Sequence, residues 1–274
     1  MILDKIVQCT RERFNAEKQV IPLEEIRPLA EGIECFAHPN ASDCSTCASF
    51  AFERALASQG ISFICEVKKA SPSKGIIAHR FPYLDIAREY ENAGASAISV
   101  LTEPDFFLGS DMYLSEIKRH VTIPVLRKDF IIDEYQIYQS KLIGADAILL
   151  ICSLLDTSTL CRYIELADSL GLSCLVETHS QEEIESALAA KARIIGVNNR
   201  NLQTFEVDIN TSISLRKYVP DNVIFVSESG ISTIEDIRKL CDINTSAVLI
   251  GEAFMRSNNI SQSLINLKGA LSRN

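Results

Sequence analysis

The chain has no tryptophan and only four histidines among its 274 residues, so no histidine-rich set of metal ligands is on offer. It has no block of basic residues either. Lys plus Arg number 27 against 36 Asp plus Glu, and the net charge of −9 argues against nucleic acid or an anionic membrane as partner. No stretch approaches the roughly 18 consecutive apolar residues of a membrane span. Asp4 and Lys5 interrupt the N-terminus where a secretory leader needs an apolar core, so a cytoplasmic location is expected. A G-x-G-x-x-G or Walker-type run is missing, which removes the usual Gly-rich nucleotide loop.

Cysteine is plentiful but does not form a framework. There are nine, an odd number, and Cys65, Cys152, Cys161, Cys174 and Cys241 sit inside apolar or helical patterns, where cysteine behaves as a small hydrophobe. Cys35, His38, Cys44 and Cys47 are of ligand type at spacings that could hold zinc. Structural zinc modules space their two halves more widely, so a polar surface loop is expected here and no metal.

What is present is the balance of an ordinary globular protein, 47% hydrophobic and 23% charged, at a length that suits one α/β barrel of about 250 residues. From Ile61 onward, short β-branched runs alternate with helical patterns. The candidate strands are 62–67, 97–101, 123–126, 147–151, 173–176, 193–197, 223–226 and 247–250. An internal echo supports the count: Gly94-Ala95-Ser96-Ala97-Ile98 returns as Gly144-Ala145-Asp146-Ala147-Ile148, with weaker versions at Ala192 and Ser246. Eight even βα units predict a single (β/α)8 TIM barrel over 61–274. Residues 1–60 read as an N-terminal helical extension with helices at 2–18 and 47–59, packed on the barrel.

Active sites of such barrels sit where the strands end. Residues two apart on a strand share a face, so Glu66 and Lys68 are neighbours at the end of the first strand. Alone they would be a solvated ion pair. The pattern recurs, however: Lys128 follows the third strand, Glu177 the fifth, Asn198 and Arg200 the sixth, and Glu228 the seventh. Barrel closure brings these ends to one rim. Ser229-Gly230 and Gly251-Glu252 then put small residues in the last two loops, where a barrel binds phosphate. Ser71 lies in a polar loop suited to an oxyanion, and Phe107 and Phe130 fall on the same rim, where an aromatic ligand would want them. These residues suggest a phosphorylated small-molecule substrate and acid–base chemistry, with lysines as cationic acids or amine nucleophiles.

Five segments carry a resemblance. They are 66–75 (EVKKASPSKG), 101–110 (LTEPDFFLGS), 126–131 (LRKDFI), 196–202 (GVNNRNL) and 227–231 (SESGI), in that order. Together they resemble the indole-3-glycerol phosphate synthases of tryptophan biosynthesis, over nearly the whole chain. The resemblance implies a cofactor-free carboxy-lyase, and a monomer is expected. Its reaction closes a ring in 1-(2-carboxyphenylamino)-1-deoxyribulose 5-phosphate, losing carbon dioxide and water. It implies that Lys128 is the general acid and Glu177 the general base. Lys68 would hold the phosphate end and the developing hydroxyl, as a possible second acid. Glu66 and Asn198 would orient the substrate, and Glu228 would keep the lysines protonated. Arg200 and Ser71 would take the anthranilate carboxylate, Phe107, Phe130 and Leu202 would complete the substrate site, and Ser229, Gly230, Gly251 and Glu252 would offer backbone donors to the phosphate.

Glu252 stands where many relatives have a small hydroxyl residue, so its side chain is expected to point away. The Cys35–Cys47 segment is not explained by the family pattern. Two rivals remain: a Schiff-base aldolase using Lys68 or Lys128 as nucleophile, and a silent sugar-phosphate-binding barrel.

Overall fold

The β-branched runs become eight strands: β1 Ser62–Val67, β2 Ala97–Leu101, β3 Val125–Lys128, β4 Ala147–Ile151, β5 Ser173–Thr178, β6 Ile194–Asn198, β7 Ile224–Glu228 and β8 Ala247–Ile250. They pair in parallel in chain order, and β8 closes on β1 with Ala247 opposite Ser62, giving a closed (β/α)8 barrel. The computed structural model describes residues 2–33, 50–201 and 204–269. The Cys35, His38, Cys44 and Cys47 motif lies outside them.

Four strands differ from expectation at their boundaries, for local reasons. β3 starts at Val125, not at Ile123. The Glu91 carboxylate takes the N–H groups of Thr122 and Ile123 at 2.6 and 3.3 Å, and Pro124 has none to give, so the strand begins two residues later than expected. β5, β6 and β7 run on past the last apolar residue. Their backbone pairing continues through the polar side chains, with Glu177 opposite Gly196 and Asn198 opposite Glu228.

Three helices precede the barrel: α1 Ile2–Val20, α2 Leu23–Glu31 and α3 Ala51–Leu56. α2 falls between the two helices expected at 2–18 and 47–59, where none is expected from the sequence. It forms because Pro22 takes the extended conformation at its start and Ile26 and Ala30 bury one face, α2 lying along a later helix, α6 (Glu134–Leu142). α3 sits at the N-terminal end of the barrel, where Phe52 and Leu56 join the interior cluster of Ile64, Leu126, Leu175 and Val226. Each such buried side chain stabilises by about 1.5–3 kcal/mol. α1 crosses the opposite end. The barrel helices are α4 Tyr83–Asn92, α5 Asp111–His120, α6, α7 Thr157–Ser169, α8 Gln181–Ala189, α9 Asn210–Leu215, α10 Ile234–Asp242, α11 Glu252–Met255 and α12 Ile260–Gly269. Ser110, Asp133, Asp156, Ser180 and Thr233 each accept a backbone N–H as N-cap of α5, α6, α7, α8 and α10. Among the described residues no helix is long and apolar enough to cross a membrane.

Candidate active site

The inward columns of β2 and β4 end apolar, in Leu101 and Ile151, but on the other six strands the column changes character at the rim. Ile64 is followed by Glu66 and then Lys68, Leu126 by Lys128, Leu175 by Glu177, Ile194 by Gly196 and Asn198, Val226 by Glu228, and Leu249 by Gly251. Period-two alternation aims all of these into the barrel mouth. Glu66, Lys68, Lys128, Glu177, Asn198, Glu228 and Gly251 line one cavity of about 510 Å³, together with Ser71, Phe107, Phe130, Arg200, Ser229, Gly230 and Glu252. Ile2, Leu3 and Ile6 of α1 cover part of it. Of the residues singled out in the sequence, Leu202 lies outside those described; all the others meet in this cavity.

At its floor, Lys128 Nζ lies 3.2 Å from Glu177 Oε2 and 3.5 Å from Glu228 Oε2. Burial works against the ammonium, but Glu177, Glu228 and Glu66 outweigh it and raise its proton affinity above the ordinary lysine value. Glu177 is equally buried. Lys128, His179 and a hydrogen bond from Asn198 overcome that burial and hold its pKa below the usual carboxylate range. Glu228 is pushed the other way, up to about 7, because burial and its like-charged neighbours Glu177 and Glu66 exceed what Lys128 returns. Across the cavity, Lys68 Nζ pairs with Glu66 Oε1 at 2.5 Å. Phe107 and Phe130 form one aromatic wall, their ring centres 6.0 Å apart.

Two glycines make room for carboxylates. A Cβ on Gly196 would fall 2.2 Å from Glu228 Oε1, and one on Gly251 would fall 2.2 Å from Glu66 Oε1. Gly251 has φ −123°, so the space, not an unusual backbone, requires glycine. Ser229 and Gly230 do have left-handed backbones, at φ 68° and 76°. Such a conformation is strained for serine, and Asn199 holds it by donating to the Ser229 carbonyl at 3.0 Å.

Glu252 corrects the expectation that its side chain turns away. It lines the cavity, with Oε1 3.1 Å from Arg256 Nε and Oε2 3.6 Å from Arg200 Nη2. Three cations explain its direction, since Lys74 Nζ also stands 4.0 Å away.

A supporting layer was not foreseen. Arg127 is nearly inaccessible and donates to Thr102, Asp111, Asp129, Gln139, Ser140 and the Gln136 carbonyl, locking the strand that carries Lys128. Glu103 accepts the N–H groups of Asp105, Phe106 and Phe107 at 2.8–3.0 Å and so shapes the loop that presents Phe107. Arg13 of α1 bridges Glu103, Asp105 and Asp129 at 3.4–3.6 Å, tying the N-terminal helix to two rim loops. Asn199 joins Ser212 and Ser227 in a buried hydroxyl network beneath Asn198 and Arg200.

Compared with known proteins, residues 3–267 match the family model of indole-3-glycerol phosphate synthase. The chain belongs to the indole-3-glycerol phosphate synthase family. Membership makes it a carboxy-lyase of tryptophan biosynthesis. Relatives named indole-3-glycerol phosphate synthase include one from Ruminiclostridium cellulolyticum, 56% identical over 98% of this chain and 100% of its own length. Another, from Lachnoclostridium phytofermentans, is 52% identical over 99% and 100%. Solved structures of much lower identity share the barrel. They include 3-hexulose-6-phosphate synthase from Salmonella typhimurium (TM-score 0.64, 15% identity, 77% of this chain and 99% of that one). KGPDC from Streptococcus mutans is similar (TM-score 0.61, 12% identity, 78% and 99%). At such identity the likeness to these two structures is one of fold alone.

Proposed function

We propose that this chain converts 1-(2-carboxyphenylamino)-1-deoxyribulose 5-phosphate to indole-3-glycerol phosphate, carbon dioxide and water, with Lys128 as general acid and Glu177 as general base. The observation that carries the assignment is the buried Lys128 ammonium between Glu177 and Glu228, 3.2 and 3.5 Å away, at the floor of a cavity with an aromatic wall.

The ring carbon bearing the carboxylate attacks the ketone carbon as Lys128 protonates the ketone oxygen. Departure of carbon dioxide returns its bonding electrons to the ring and restores aromaticity. The new hydroxyl then leaves as water, taking a proton from Lys68, while Glu177 removes a proton from the methylene carbon beside the nitrogen and the double bond forms. Two protons go in and one comes out. Glu177 can return its proton to Lys128 across 3.2 Å, so each turnover draws one proton from solvent, through Lys68. Glu66, paired with Lys68, stabilises positive charge at the anilino nitrogen. Arg200 and Ser71 take the anthranilate carboxylate, and the Ser229-Gly230 and Gly251-Glu252 loops take the phosphate. A small phosphorylated molecule is thus the partner, and the site is cytoplasmic in this reading.

The Schiff-base alternative needs a neutral amine. Lys128 is held protonated by its carboxylates, which opposes that role. The test is to supply the anilino-deoxyribulose phosphate and follow indole fluorescence, against the low background of a chain without tryptophan. Indole product with no borohydride-trapped lysine is expected; a trapped adduct, or no indole, would overturn the proposal.

A further inference from the structure

His179 is a buried titratable group to which the reaction above gives no part. It follows Glu177 by two positions, just beyond β5. Its Nδ1 lies 3.3 Å from Glu183 Oε2, and its own backbone N–H donates to the same oxygen at 2.7 Å. Glu183 is itself anchored, since its N–H donates to the Ser180 hydroxyl at the start of α8. The imidazole is therefore clamped from one side. Its other nitrogen, Nε2, is buried with no hydrogen-bond partner and faces Glu177 Oε1 at 3.7 Å. Glu177 thus stands between Lys128 and an imidazole, with Oε2 toward the first and Oε1 toward the second.

We propose that His179 is a positioning residue for Glu177: clamped by Glu183, it presents a donor edge that fixes the carboxylate and leaves it one positive neighbour after Lys128 has given up its proton. The inference rests on the assignment of Lys128 and Glu177 as acid and base. Its logic is electrostatic. Once Lys128 becomes neutral, a buried Glu177 loses its nearest counter-charge at the moment it must stay ionised to accept a carbon-bound proton. An imidazolium flanked by two carboxylates answers that need. The groups facing His179 are consistent with it: Glu177 on β5, Glu183 on α8 and Glu228 on β7 all favour the charged ring, against its burial. Cys152, in the turn after β4, is buried near Glu183 and Glu177, and its thiol proton is held more tightly than usual, so it adds no charge.

Two measurements test this. In His179→Gln, which keeps a donor but loses the charge, the acid limb of the kcat/KM profile is expected to move up by about one pH unit, with kcat falling more than KM changes. A limb superimposable on that of the parent enzyme would overturn the proposal, whatever happens to thermal stability. Independently of turnover, NMR titration of the His179 imidazole in the unliganded enzyme should show a lower midpoint in Glu177→Gln than in the parent. An unchanged midpoint would equally overturn it. Because that readout needs no substrate, failure of the positioning role is separable from failure of the proposed reaction.

Discussion

Replacing Gly251 by Ala adds a single methyl group, and the structure says where it goes. The new Cβ would lie 2.2 Å from Glu66 Oε1, 2.9 Å from its Cδ and 3.0 Å from its Cβ. Ordinary contact begins at about 3.4 Å, so the carboxylate must retreat by roughly 1 Å. The backbone at φ −123° accepts alanine without strain, which isolates the effect to the clash. Retreat pulls Glu66 from Lys68, its partner at 2.5 Å. A misplacement of about 1 Å in such a site costs on the order of 100-fold in rate, and overpacking costs about 1–3 kcal/mol in stability. The assay is kcat/KM by indole fluorescence beside a thermal melt. The double variant Gly251→Ala with Glu66→Ala should recover the melting temperature but not the activity. Near-normal turnover of Gly251→Ala would refute the reasoning, and Gly251 would then serve the phosphate alone.

Other expectations follow from the same geometry. Lys128→Ala should lower kcat by about 100-fold or more, the scale of a lost general acid; near-normal turnover would remove it from that role. Glu228 has its pKa raised from 4.5 to about 7 by burial. Between those values the folded protein keeps a proton that the unfolded chain releases, so stability falls as pH rises through that window, by on the order of 3 kcal/mol. Glu228→Gln should therefore raise the melting temperature at pH 8, with the gain vanishing near pH 4.5; a pH-independent difference would contradict this. Arg13→Ala leaves buried Glu103 without its cation and Asp129 with Arg127 alone, and should destabilise by about 1–3 kcal/mol. It should also raise KM through the loops that carry Phe107 and Phe130, and an unchanged KM would argue against the tie.

The barrel and its polar rim were legible because both rest on short-range periodicity. A strand that alternates faces announces which residues share a side, and an apolar column ending in Glu66, Lys128, Glu177 or Glu228 is visible without coordinates. The supporting layer is of another kind. Arg127 and Asn199 point away from the cavity, and their partners are brought near only when the helices pack back on the strands and neighbouring strands pair: Asp111 and Gln136 for the first, Ser212 and Ser227 for the second. Nothing in the local pattern names such partners. Arg13 is the extreme case, 116 positions from Asp129. His179 stands out in the sequence only as lying near a strand end, because its role depends on Glu183, one helical turn onward, swinging back over it. The direction of Glu252 departs from expectation because two of its cations, Lys74 and Arg200, reach it from distant segments of the chain.

The central claim is that one aromatic-walled mouth of the barrel holds the substrate between the Lys128–Glu177 pair and the last two loops. A crystal structure with indole-3-glycerol phosphate bound tests it most directly. The account predicts the indole ring against Phe107 and Phe130, within reach of Lys128 and Glu177, and the phosphate at Ser229, Gly230 and Gly251. Product seated elsewhere, or with its phosphate at the Phe107–Phe130 wall, would contradict it.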